Sequence, residues 1–193
     1  MDWVDLVWPM LAAARFVLGL VPAVVWVSHP RDRTQLGVAV AALSVGAIAL
    51  FELASLHADT PASMAAIIRG WHVPIALLVC AIVYGVHIMF GHGSVALAVA
   101  AVGLRLLALV LNFATGVNLN FESVDAIGQV SWFGTDVSYP IGRLNPWSIT
   151  AQLSNVLLVA YLMHTLHRVP RGSPEWPSAL VVCGGWLVLG RAK

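Results

Sequence analysis

Four ionisable side chains sit inside long apolar runs: Arg15, Glu52, His72 and Arg105. A charge at membrane depth is costly and is retained where it pairs, lines a polar cavity or meets a ligand. Two chemistries are open to this set. Arg15 and Glu52 are a cation and a carboxylate expected at similar depth. They read either as an interhelical ion pair or, with His72, as the lining of a polar pocket. Arg105 reads either as a packing contact or as the positive anchor of a pocket for an acidic or quinone-like ligand. Arg105 and Asn112 are seven apart and share one helix face, and Gln152 and Asn155 share another. Such side chains usually hydrogen-bond between helices, each contact contributing about 1 kcal/mol.

Other chemistries find little support. No nucleophile–base arrangement is visible, and "GHGS" at Gly91–Ser94 lacks the flanking spacing of a phosphate loop. An enzyme is therefore not expected. The chain has seven His. His72 and His87 lie about 22 Å apart along one helix, too far to share an iron. His87, His92, His164 and His167 fall near one set of helix ends, and His164 and His167 have a spacing that can serve a metal. No carboxylate accompanies them, so no metal site is assigned; haem, a quinone or a pigment stay open as cofactors. Cys80 and Cys183 both sit in apolar runs and read as buried small residues.

The elements that must position these residues are membrane helices. Sixty per cent of the chain is hydrophobic and 10% is charged, against roughly 25% charged in soluble domains. The net charge of +1 leaves no nucleic-acid footprint. The acidic start "MDWVDLVW" is unlike a secretory signal. About 20 apolar residues cross a bilayer as a helix. Five runs qualify, at 7–27, 36–56, 67–90, 95–115 and 146–166. A sixth, 177–190, is short of a full crossing unless Trp176 and Arg191 extend it. The expected fold is all-α: a single polytopic transmembrane helical bundle over 1–193, five full spans plus a short sixth, with a structured extracytoplasmic loop. Arg31 and Arg33 in the first loop and Arg168 and Arg171 in the fifth mark the cytoplasmic side. The expected location is a bacterial inner (cytoplasmic) membrane, with the N-terminus outside. If the sixth run spans, Arg191 and Lys193 face outside, against that rule.

One connection stands apart. Residues 116–145 form a polar, aromatic-rich segment, whereas the other loops are short. Asn145-Pro146-Trp147 reads as a helix start, with Asn as N-cap and Pro at the first helical position. Trp147 then sits at the membrane interface. Phe121, Val124, Ile127 and Val130 are three apart, which predicts a short amphipathic helix over the bundle mouth. The segment reads as a lid beside Glu52 and His72. Asn118 and Asn120 in its "NLNF" corner join the candidate ligand-binding residues, with Arg15, Glu52, His72, Arg105, Asn112 and Trp147.

Several motifs together resemble the N-terminal membrane module of bacterial sensor histidine kinases. They are "FEL" around Glu52, "WHVP" at Trp71–Pro74, "NFATGVNLNF" at Asn112–Phe121, "NPWSITAQLS" at Asn145–Ser154 and the basic turn "PRG". The resemblance implies a helical sensory input module for signal transduction in a two-component system. No seventh helix, kinase or receiver region follows Lys193. The expectation is thus a stand-alone version acting through a protein partner in the bilayer. The alternative is an accessory subunit of a larger respiratory or photosynthetic membrane complex. A transporter is a weaker fit, because no inverted repeat is visible.

The charge pattern makes a direct prediction about sidedness. A cysteine at Asp136, in a background without Cys80 and Cys183, is expected to react with a membrane-impermeant maleimide in intact cells. A cysteine at Arg31 is expected to react only after permeabilisation.

Overall fold

The computed structural model describes the backbone of residues 3–189 and the side chains of residues 3–184. Arg191 and Lys193, on which the orientation of the sixth run turns, lie outside the described residues. Six helices follow one another: α1 Trp3–Ser28, α2 Arg33–Leu56, α3 Pro61–Phe90, α4 Val95–Ala114, α5 Ser148–Arg168 and α6 Trp176–Leu189. The first five are long and apolar enough to cross a membrane. The protein is thus a polytopic membrane bundle, and its spans fall where the apolar runs place them. The largest shift is at the start of α3. Hydropathy begins at Ile67, but Thr60 and Ser63 form a capping box, with the Ser63 amide donating to Thr60 Oγ1 at 3.1 Å. The cap, not the apolar run, decides where the helix starts.

The core is built on stripes of helical period. In α3 the buried residues Ala65, Ile68, His72, Ala76, Val79, Val83 and Val86 recur three or four apart. In α4 the stripe is Ala98, Ala101, Arg105, Ala108 and Asn112. In α5 it includes Ala151, Ser154, Tyr161 and Thr165. Small residues let helices approach closely where lipid supplies no hydrophobic drive. Ser154 Oγ donates to Ala101 O at 2.8 Å across the α4–α5 seam. Gly37 of α2 meets Gly85 of α3, and a Cβ there would stand 3.3 Å from the Gly85 Cα. α1 packs chiefly on α2, through Gly19 against Leu43 and Gly46 against Phe16. Described over 14 residues, about 21 Å, α6 falls short of a hydrocarbon core of about 30 Å. It sets Ala179 and Cys183 against Val83, Val86, Phe90, Tyr161 and Leu162.

The helix expected at 121–130 is instead a strand. β1 Phe121–Trp132 pairs antiparallel with β2 Thr135–Leu144. Phe133 and Gly134 make the two-residue turn with φ of 48° and 80°. Positive φ at both central positions is the hairpin turn whose twist matches the strands, and Gly134 accepts it without strain. The three-residue spacing misled because only two of those residues pack inward: Phe121 and Ile127 rest on Ala58, Met64 and Ile68, while Val130 is 51% exposed. Pro140 is tolerated because a two-stranded ribbon has only edges.

A lone hairpin is marginal in water. This one is held at both ends. Its tip places Trp132 5.3 Å from Trp3 and 6.3 Å from Trp8, edge-on. Its base is tied by three buried asparagines. Asn118 Oδ1 accepts from the Asn120 and Phe121 amides at 3.0 and 2.8 Å, and its Nδ2 donates to Ala65 O at 3.3 Å. Asn145 Nδ2 donates to Asn118 O at 2.9 Å and to Thr115 Oγ1 at 3.2 Å. Asn112 Nδ2 donates to Arg69 O at 2.8 Å, and its Oδ1 accepts from the Leu119 amide at 2.9 Å. Asn118→Ala orphans two half-buried amides and the Ala65 carbonyl and is expected to cost about 2–4 kcal/mol. Equilibrium unfolding in mixed detergent micelles checks this; a loss below about 0.5 kcal/mol would show that the knot carries no load.

Candidate functional site

Two members of the buried stripes are not satisfied. Arg105 lies nine residues from the end of α4, about 14 Å deep along the helix, and is 3% exposed. Its Nη2 donates to Ala151 O at 3.4 Å and to Asn155 Oδ1, while its Nε is buried without a partner. Among the described residues no carboxylate pairs with it. The ion pairs among the described residues are His57–Asp5 at 3.0 Å and Arg143–Glu122 at 3.7 Å, both at the hairpin end. His72 on α3 is 6% exposed, and its Nε2 is likewise buried and unpartnered. Arg105 is near enough for its charge to act on the His72 ring, and the Asn120 side chain stands beside that ring. Cys80, two turns further along α3, also lies within the field of Arg105.

The local sequence explains this placement. Alanines one turn to either side of Arg105 leave room for a long side chain inside the α4 stripe. His72 replaces an aliphatic residue in the α3 stripe. The "NLN" corner is folded down by Asn118 and Asn112, which brings Asn120 to the ring. The result is a cationic, water-poor spot between α3, α4 and α5. It offers the Arg105 Nε–H as a donor and His72 Nε2 as donor or acceptor, according to tautomer. A carbonyl or carboxylate oxygen suits it.

The other candidates go elsewhere. Glu52 and His72 do not share a pocket. Gly70 of α3 touches Phe51 of α2, and His72, two residues on, faces the far side of the helix toward α4. Glu52 is half-buried on α2. Arg15 forms no ion pair with it; Arg15 is exposed and borders a groove with Val38, Ala41 and Val45. Asn112 and Asn118 are consumed by the hairpin knot. Asn145 begins a turn two residues before the cap position Trp147: its Oδ1 accepts from the Trp147 amide at 3.1 Å, and α5 starts at Ser148. Trp147 is half exposed. The hairpin covers Ala58, Met64 and Ile68, so the covering of His72 is left to Asn120. His87, His92, His164 and His167 are not brought together: among the described residues no group of three or more His, Cys, Asp or Glu side chains is placed to hold a metal ion.

One residue with a clear role was overlooked. Arg69, within "IIRGWHVP", donates from Nε to Asn112 O at 3.2 Å and from Nη2 to Phe113 O at 3.0 Å. It lies over the Phe113 ring at 5.4 Å. These are the free carbonyls of the α4 C-terminus, where a cation is favoured. The signal was there to be read: Arg69 is a fifth ionisable residue inside an apolar run.

No family model matches the chain, and neither a curated protein nor a solved structure matches it.

The Arg105–Asn155 contact makes a stability prediction. Asn155→Leu removes the only side-chain acceptor of a buried guanidinium and is expected to cost about 3 kcal/mol. Adding Arg105→Met is expected to recover most of that loss, because an apolar pair replaces a stranded charge. Micellar unfolding of the two single variants and the double variant checks the cycle.

Proposed function

We propose that this chain is a sensory input protein of a bacterial inner membrane. It binds a small amphiphile through a carbonyl or carboxylate oxygen between His72 and Arg105, and a partner protein reads the bound state. One observation carries the reading: a buried guanidinium with a free Nε and no carboxylate partner among the described residues, in whose field lies a buried histidine with an unpartnered Nε2. A structural arginine at this depth would be cheapest with a fixed acid on a neighbouring helix. Leaving that place open suits a counter-group that comes and goes. The motifs "WHVP", "NFATGVNLNF" and "NPWSITAQLS", similar to those of sensor-kinase membrane modules, surround this spot. The N-terminus-out orientation would put the hairpin on the outer side and the basic turns toward a cytoplasmic output.

An accessory role in a larger membrane complex is the second reading. It is favoured by α1, which packs chiefly on α2 and exposes Leu18, Val21 and Val24.

The test is binding by the purified chain in nanodiscs. Trp71 adjoins His72 in sequence and serves as reporter. A short-tailed ubiquinone analogue is expected to quench its fluorescence saturably and to be displaced by a fatty acid. R105Q and H72A are expected to weaken binding at least tenfold. Absence of saturable quenching, or quenching indifferent to both substitutions, would remove the reading.

A further inference from the structure

Beside its seams with α1 and α3, α2 leaves a flank open. There a groove of about 320 Å³ runs along Gly37, Val38, Ala41, Ala42 and Val45. α1 borders it through Arg15, α3 through Ala81 and Met89, and Val182 of α6 closes it at the end away from the hairpin. Val38, Ala41 and Val45 follow the three–four spacing of a helix-packing seam, and Ile48 and Glu52 continue it along the sequence. Apart from Arg15, the lining carries no charge.

Arg15 decides what the groove holds. It lies twelve residues from Trp3 and thirteen from Ser28, so it is about 18–20 Å from either end of a bilayer-length helix. That is too deep for a lipid phosphate to meet it, and acyl tails offer no acceptor. An arginine at such a position is costly unless it is paired. Among the described residues it has no ion-pair partner. Gly19 against Leu43 and Phe16 against Gly46 set Arg15 level with Ala47. Of the two acids in α1 and α2, Glu52 sits about 7 Å off that level and Asp5 about 15 Å away along α1. A second copy would bring the same residues at the same depths.

We infer that the groove is the docking site of a transmembrane helix from another protein, one that carries an Asp or Glu near mid-span opposite Arg15. The apolar floor with its small residues admits the helix, and the cation fixes its depth. This supplies the partner that the sensory reading requires, and so rests on that reading for its meaning, though the groove and the His72–Arg105 spot are tested separately.

The test is photo-crosslinking in the native membrane from benzoylphenylalanine at Val38, with the same group at lipid-facing Val99 as control. The expected result is an adduct to one other protein, with the cross-linked peptide lying in an apolar span that contains an acid. That adduct is expected to fall at least tenfold in R15Q and to persist in R15K. Changing the partner's acid to its amide, with this chain unaltered, is expected to give the same loss. Adducts to lipid alone, adducts to a second copy, or a protein adduct indifferent to Arg15 and to the partner's acid would overturn the inference. Quinone-analogue binding is expected to be unchanged in R15Q, so failure here leaves the ligand site standing.

Discussion

Inside a bilayer an unpaired amide has no water to turn to, and a connection that leaves the helical ladder must supply its own partners. Three asparagines meet that demand. Asn112, Asn118 and Asn145 are all at most 2% exposed, and between them they bind the ends of α3 and α4, the base of the hairpin and the turn into α5. Arg69 adds the last carbonyls of α4. The hairpin can therefore extend across the ends of α2 and α3 and lodge its tip among the tryptophans of α1. Without the knot, Asn120 would have no reason to stand at His72.

Against that background the exceptions gain meaning. The three asparagines at the base of the hairpin have partners for both their oxygens and their amide nitrogens, whereas Arg105 Nε and His72 Nε2, like Trp3 Nε1 at the hairpin tip, are buried without one. Buried unsatisfied groups are rare in native structures and call for a specific explanation. Arg105 and His72 lie on the inward stripes of adjacent helices, beneath the tied-down loop. Arg15 is a different case: it is exposed, on a peripheral helix, and bordered by apolar residues. One cation looks inward at a place for a small molecule and the other looks outward at a place for a helix.

The helices were legible because a bilayer reads sequence in the simplest way: a run of about 20 apolar residues has one stable form. Arg105 and His72 stood out for the same reason, as charges where none should be. Errors arose where hydropathy has little to say. The spacing of Phe121, Val124, Ile127 and Val130 fits a helix, but the Phe133-Gly134 turn and the β-branched content favour a ribbon, and two bulges keep Phe121 and Ile127 on one face. Glu52 and His72 look like neighbours from residue count along their helices, but which way each side chain turns depends on the neighbouring helix, and His72 is on the side of α3 away from Phe51 of α2. Asn112 and Asn118 looked like ligand contacts because a polar side chain at a bundle end serves either purpose. Only the positions of the Leu119, Asn120 and Phe121 amides reveal that they are occupied.

The central claim is that Arg105 and His72 are held open for a group that this chain does not supply. A high-resolution map of the protein extracted with its native lipids into nanodiscs tests it most directly. The account predicts density larger than a water between the Arg105 guanidinium and the His72 ring, with Asn120 in contact. A map in which only waters fill that space, or in which Glu52 has swung in to pair with Arg105, would contradict it.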